Sequence, residues 1–294
     1  MKRREFLESG VALGGAIVGA GLTDASRASA AGSAVSPAIA SALRHSVCRW
    51  PYSGIALDDL ARAAARLGLE SVELLDPEDW ATVQRHGLTC AMANAPGEPR
   101  TRITHGFNRL EHHERLVPAY RELIEQAAAA GVPNVICFSG NRAGLADDEG
   151  LEHCARGLTA IMGAAERHGV NVVMELLNSK VDHADYQCDH TAWGVSLARR
   201  VGSERFRLLY DIYHMQIMEG DVIRTIRENH EYIAHYHTGG VPGRHEIDGA
   251  QELNYRAIMQ AIADTGFEGY VGQEFIPQRD PVTSLAEAIE ICRV

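Results

Sequence analysis

Several things are missing from this chain, and each absence removes a class of protein. Basic residues are in the minority: 28 Lys and Arg stand against 39 Asp and Glu, a formal charge of −11. A surface of that sign repels a phosphate backbone, so nucleic acid is excluded as the main partner. The six cysteines, Cys48, Cys90, Cys137, Cys154, Cys188 and Cys292, include no C-x-x-C pair. That removes thiolate zinc knuckles and dithiol redox motifs. Cys48, Cys90 and Cys137 lie in apolar strand-like runs, where cysteine serves as a small core residue. The apolar run 10–22 is too short and too rich in glycine to span a bilayer, so no stable membrane span is expected. There is no internal repeat beyond a strand–helix period, and no sign of a second domain.

What is present begins with a leader. Met1-Lys2-Arg3-Arg4-Glu5-Phe6-Leu7 is followed by a Gly/Ala/Val-rich stretch and then by Ala28-Ser29-Ala30. This is a basic n-region, a short apolar region and a small-residue cleavage site. Arg3-Arg4 ahead of Phe6-Leu7 resembles a twin-arginine signal. That resemblance implies the twin-arginine export machinery as a partner and a periplasmic or otherwise exported destination. The division expected is a signal over 1–30, a linker over 31–44 and a catalytic domain over 45–294. The leader has four basic and three acidic residues, so the remainder stands at −12.

From residue 45 onward strand-like and helix-like segments alternate. Strands are expected at 45–50, 71–75, 88–93, 134–138, 171–177, in the stretch 206–216 up to Asp211, and at 233–237 and 270–275. Helices are expected at 57–67, 79–85, 110–130, 148–168, 189–200, 222–229, 255–265 and 284–292. Glycines close several of them: Gly68, Gly87, Gly131, Gly169, Gly202 and Gly266. Eight βα units in this length predict an α/β fold, a single (β/α)8 TIM barrel. The rival is a doubly wound open sheet. It wants a glycine-rich phosphate turn after the first strand, and Trp50-Pro51-Tyr52-Ser53-Gly54 is not one.

In a barrel, function sits at the C-terminal ends of the strands. Four consecutive strands each end on an acid or an imidazole: Glu175, Asp211, His237 and Glu274. Side chains alternate along a strand, so each can face the barrel axis. Asp211 alone also fits a plain helix cap at a strand-to-helix turn. Taken together, three converging carboxylates repel one another unless a cation joins them, and one divalent metal answers this. Three carboxylates and one imidazole suit Mn²⁺, Mg²⁺, Co²⁺ or Fe²⁺ better than thiolate-rich zinc sites do.

Met174-Glu175-Leu176-Leu177-Asn178, Tyr210-Asp211-Ile212-Tyr213-His214, 233–237 with Pro242-Gly243-Arg244, and Gln273-Glu274 carry a resemblance. The chain resembles the xylose isomerase-like sugar isomerase/epimerase barrels over about residues 45–280, and hydroxypyruvate isomerase-like proteins within them. The resemblance implies that Glu175, Asp211, His237 and Glu274 hold the metal. It implies that Glu175 and Glu274 are the proton-transfer carboxylates, and that His214 and Arg244 contact substrate oxygens. One position departs. Hydroxypyruvate isomerases of this kind usually carry Gln at the third ligand position and the ketose epimerases carry His, so His237 weakens the hydroxypyruvate assignment. The implied chemistry is removal of a proton α to a carbonyl of a small carbohydrate or hydroxy-keto acid, with an enediolate stabilised by the metal.

Three rivals are weighed against that reading. A lyase or hydratase on keto-sugars or keto-glycosides would use the same site. An endonuclease-type phosphodiesterase would want more histidines, several metals and a basic face. A non-catalytic binder would have no need of both Glu175 and Glu274. A homo-oligomer is compatible with the sequence. His235 reads as a core histidine, and Glu73 as a weaker strand-end candidate. Lys180, Asp182 and His183 follow strand five and suit a solvated loop as well as a mouth. Arg100, Arg102, His105, Arg109, His112 and His113 form a basic patch that suits either a lid or plain surface. Trp50 and Trp80 stand near strand ends, where large aromatics serve packing more often than sugar stacking.

Overall fold

The structure is a computed structural model, and it describes residues 43–294. The signal over 1–30 and nearly all of the linker therefore lie outside the described residues. In chain order the elements are β1 (Arg44–Cys48), α1 (Leu57–Leu67), β2 (Ser71–Glu73), α2 (Pro77–Gln84), α3 (Leu110–Ala130), β3 (Asn134–Cys137), α4 (Asp147–His168), β4 (Asn171–Glu175), α5 (Thr191–Val201), β5 (Phe206–Asp211), α6 (Ile212–Met218), α7 (Val222–Asn229), β6 (Ile233–Thr238), α8 (Tyr255–Ala263), β7 (Tyr270–Gln273) and α9 (Pro281–Cys292). All strand pairs are parallel, in the order β2-β1-β7-β6-β5-β4-β3.

The expected strand over 88–93 is not continuous, and this corrects the count of eight. Among the described residues seven strands form regular ladders, and residues 89–93 close the ring between β2 and β3 through isolated parallel bridges: Ser71 with Thr89, and Ala93 with both Leu75 and Val135. The cause is local. Ser71 Oγ accepts the Ala91 N–H at 2.8 Å, and Asn134 Nδ2 donates to the Ala91 carbonyl at 2.8 Å. Side chains take over two bonds that a ladder would have made, so the backbone remains satisfied without strand geometry.

The second correction follows β5. One helix was expected there, over 222–229, but α6 begins directly at Ile212. Asp211 starts it: its side chain accepts the His214 N–H at 3.1 Å, an N-cap. Strand interiors are apolar and buried on both faces, as parallel sheets between helices require. Each fully buried Leu, Val or Met there contributes about 1.5–3 kcal/mol.

Candidate active site

Four elements deliver the central cluster. Glu175 ends β4, Asp211 ends β5, His237 is the penultimate residue of β6, and Glu274 directly follows β7. The parallel register sets them at one height: Asp211 pairs with His237, and His237 with Gly272. Their ligand atoms all lie within 4.8 Å of one another, and all four residues are buried.

Asp211 has two tasks, one for each oxygen. Oδ1 caps α6, while Oδ2 accepts from Arg244 Nη2 at 3.1 Å. Arg244 also donates to Glu274 Oε2. Its guanidinium lies 5.1 Å from the Trp50 ring centre and 5.3 Å from that of Tyr213, held between two aromatic faces. Trp50 Nε1 donates to the other oxygen of Glu274 at 2.6 Å.

These contacts separate the carboxylates electrostatically. Burial alone would raise Glu274, but the charges of Arg244 and His237 outweigh it and hold the carboxyl well below its usual range. Burial pushes Glu175 up, aided by the charge of Glu274. Burial lifts Asp211 to about 8 against the pull of Arg244, and the charge of Glu274 adds to the rise.

One histidine of the site, His214, has a defined tautomer. His214 Nδ1 faces two donors, the Asn178 N–H at 3.2 Å and Asn178 Nδ2 at 2.6 Å. An amide N–H can only donate, so Nδ1 accepts and the proton sits on Nε2. That Nε2 is buried, has no hydrogen-bond partner among the described residues, and lies 3.6 Å from Asp211 Oδ2. Burial and the charge of Arg244 keep the ring neutral. His214 therefore presents an N–H toward the cluster. His237 Nδ1 lies 2.9 Å from Glu274 Oε2 and 3.5 Å from Glu175 Oε1, with no well-aligned hydrogen bond to either. A buried nitrogen without a partner beside three carboxylates is what a divalent ion needs, and this donor set fits one.

A cavity of about 350 Å³ opens above the cluster, with Glu175, Glu274, Arg244 and His183 among its polar lining. Its apolar lining comes from Leu74, Ile103, Ile136, Phe138 and Leu177, with Asn94 and Arg102 among the polar residues. Trp50, 41% exposed, stands at this cavity, whereas Trp80 is buried in the core.

The basic patch divides. Arg102 lines the cavity and is tied to Asp76 at 2.7 Å. Arg109 donates to the Ala143 carbonyl at 3.0 Å, and His112 and His113 bond the carbonyls of Gly106 and Phe107 at 3.0 and 2.8 Å. His112 and His113 brace the loop ahead of α3, and Arg109 ties it to the loop after β3. Lys180 donates to the carbonyls of Ile217 and Met218 at the end of α6. Asp182 accepts from Asn178 and from the Tyr213 hydroxyl at 2.7 and 2.8 Å. Sequence reasoning passed over Asn178 although it closes one of the quoted motifs. It undervalued Trp50, whose indole N–H was the available signal.

Residues 45–293 match the family described as xylose isomerase-like TIM barrel. A Homo sapiens protein named "Putative hydroxypyruvate isomerase" is 28% identical over 247 residues, spanning 76% of this chain and 86% of its own. A 2-oxo-tetronate isomerase of Cupriavidus necator is 28% identical over 238 residues, spanning 77% and 90%. The crystal structure of AP endonuclease, family 2, from Brucella melitensis superposes with a TM-score of 0.74 at 25% identity, covering 84% of this chain and 99% of that one.

Proposed function

Since the chain belongs to the xylose isomerase-like TIM barrel family, we propose that it is a metal-dependent isomerase or epimerase of a small sugar or hydroxy-keto acid. The observation that carries this reading is the convergence of Glu175, Asp211, His237 and Glu274, of which Glu175 and Glu274 line a cavity. One divalent ion, Mn²⁺, Mg²⁺ or Co²⁺, suits those donors, and when bound it supplies Lewis acidity toward a carbonyl and a neighbouring hydroxyl.

The rest of the work falls to side chains. Glu175 and Glu274 take and return the proton α to the carbonyl. Their surroundings draw their proton affinities apart, as an acid–base pair requires. His214 offers its Nε2–H, and Arg244 its charge, to substrate oxygens. The relatives named for hydroxypyruvate and 2-oxo-tetronate favour a hydroxy-keto acid, while His237 in place of Gln favours a ketose. The endonuclease name belongs to the Brucella melitensis protein; a charge of −11 opposes a DNA substrate here.

Chelator-stripped protein should neither isomerise hydroxypyruvate or a free ketose nor exchange the α-proton with D₂O, and added Mn²⁺ should restore both. Equal exchange by stripped and loaded protein would remove the metal from the reaction.

A second reading has one observation in its favour. Much of the cavity lining is apolar, and Leu74, Ile103, Ile136, Phe138 and Leu177 offer no partners for the hydroxyls of a free sugar. It suits a keto-glycoside with an apolar aglycone, from which the same proton abstraction leads to elimination of the glycosidic oxygen. Release of a phenol from an aryl keto-glycoside, with no epimer formed, would decide for the lyase.

We also propose export by the twin-arginine route. The motivating residues are Arg3 and Arg4 ahead of Phe6 and Leu7. Changing both arginines to Lys should leave uncleaved protein in the cytoplasm; normal cleavage and export of that variant would refute the route.

A further inference from the structure

Beside the cluster, Glu73, His235 and Cys48 are wholly buried and unused by the chemistry above, and they meet the cluster at His237. Glu73, at the end of β2, extends to β6 and accepts from both of its inward histidines: His235 Nε2 lies 2.7 Å and His237 Nε2 2.8 Å from the same oxygen, Oε1. Cys48 Sγ stands 3.6 Å from that oxygen and 3.5 Å from His237 Nε2. All four residues are 0% exposed, so water cannot replace a lost partner.

The chain makes room for this arrangement. A Cβ on Gly272 would stand 2.7 Å from Glu73 Oε1 and 2.9 Å from His237 Cδ2. Gly272 has ordinary strand geometry and no positive φ, so what glycine supplies there is space. Strand β7 gives up a side chain at the point where the carboxylate meets the imidazole.

We infer that Glu73 is a positioning residue: its Oε1 holds the Nε2–H of His237, which leaves Nδ1 as the nitrogen turned toward Glu175, Asp211 and Glu274 to serve as the ligand when an ion is bound. A histidine that ligates through Nδ1 must carry its proton on Nε2, and a carboxylate on that proton fixes the ring and strengthens the donor. His235 acts from the other side. Its own N–H fills the same oxygen, so the carboxylate cannot turn away without stranding two buried donors. This rests on the proposed metal centre but concerns residues outside it.

The test uses the full-length protein and Cd²⁺ as probe. Glu73→Met keeps the volume and removes the acceptor; it should lower Cd²⁺ affinity about 10–100-fold. Glu73→Gln keeps an accepting oxygen and should restore most of the loss, which a role in packing alone would not predict. Should the Met variant fail to fold, nitrogen NMR of histidine-labelled wild type answers on its own. With a spin-half cadmium isotope bound, His237 should show cadmium coupling at Nδ1 and a proton on Nε2. Coupling at Nε2, a second Cd²⁺ on Cys48 and Glu73, or undiminished affinity in the Met variant would overturn the role of Glu73 and leave the metal centre standing. Absence of any bound Cd²⁺ in wild type would overturn the centre itself, and this inference with it.

Discussion

The arc from β4 to β7 and the arc from β1 through residues 89–93 to β3 close one barrel by different means. In the first, strands of four to six residues pair in unbroken parallel ladders apart from one irregularity at Leu208/Leu209. In the second, β2 has three residues, and the bonds around Ala91 come from the side chains of Ser71 and Asn134. The first arc holds the four-residue cluster, and the second supplies much of the apolar wall, through Leu74, Ile136 and Phe138, besides the single buried carboxylate of Glu73. The difference matches what each must do. Charges a few ångströms apart in a medium of low dielectric change energy steeply with position, so their supports must be regular. An apolar wall needs shape alone, and tolerates looser backbone behind it.

The largest effect should come from the first arc. Glu175→Gln and Glu274→Gln should each lower kcat by about 10²–10⁴-fold with metal still bound, because the amide ligates but takes no proton. Turnover near wild type, with metal content measured on the same sample, would dismiss the two-carboxylate mechanism. A smaller effect of a different kind should come from the wall. Phe138→Ala should raise KM roughly 10-fold and leave kcat nearly unchanged, since an apolar contact serves ground and transition states alike. A fall in kcat as large as that of the Glu variants would erase the distinction between the arcs. The smallest concerns the patched ladder. Ser71→Ala leaves the Ala91 N–H buried without its acceptor and should cost about 1–3 kcal/mol in urea unfolding, with kinetics intact. Unchanged stability would mean that the backbone there finds another partner, and that the side chain is no substitute for a ladder bond.

The two arcs also explain which parts were legible in the sequence. Helix ends were clear where glycine closes them: α3 spans Leu110–Ala130 as expected, with Gly131 at φ 71°. The four strand-end donors were legible because each follows an apolar run that fixes its direction. The segment 88–93 read as a strand on composition, yet its ladder is broken by Ser71 and Asn134, which belong to neighbouring strands and leave no mark in the segment itself. For Asp211 the cap and the functional reading were set against each other; the two are compatible, because Oδ1 makes the cap while Oδ2 turns to Arg244 in the cluster. The patch at 100–113 looked uniform because charge is visible in a sequence and acceptors are not. Arg102 faces the cavity, while Arg109, His112 and His113 bind loop carbonyls.

Arg244 bears on the order in which this protein is put together. A polypeptide must bring Glu175, Asp211 and Glu274 together as the barrel closes, and bare carboxylates would resist that last step. Arg244, seated between Trp50 and Tyr213, touches two of the three and supplies a counter-charge encoded in the chain itself. Closure of the ring then need not wait for an ion, in contrast to small domains that have no fold until metal arrives. For the metal centre proposed above, folding should come first and loading second. The concentration of free metal around the protein should thus set how much of it is active, and leave how much of it is folded nearly unchanged.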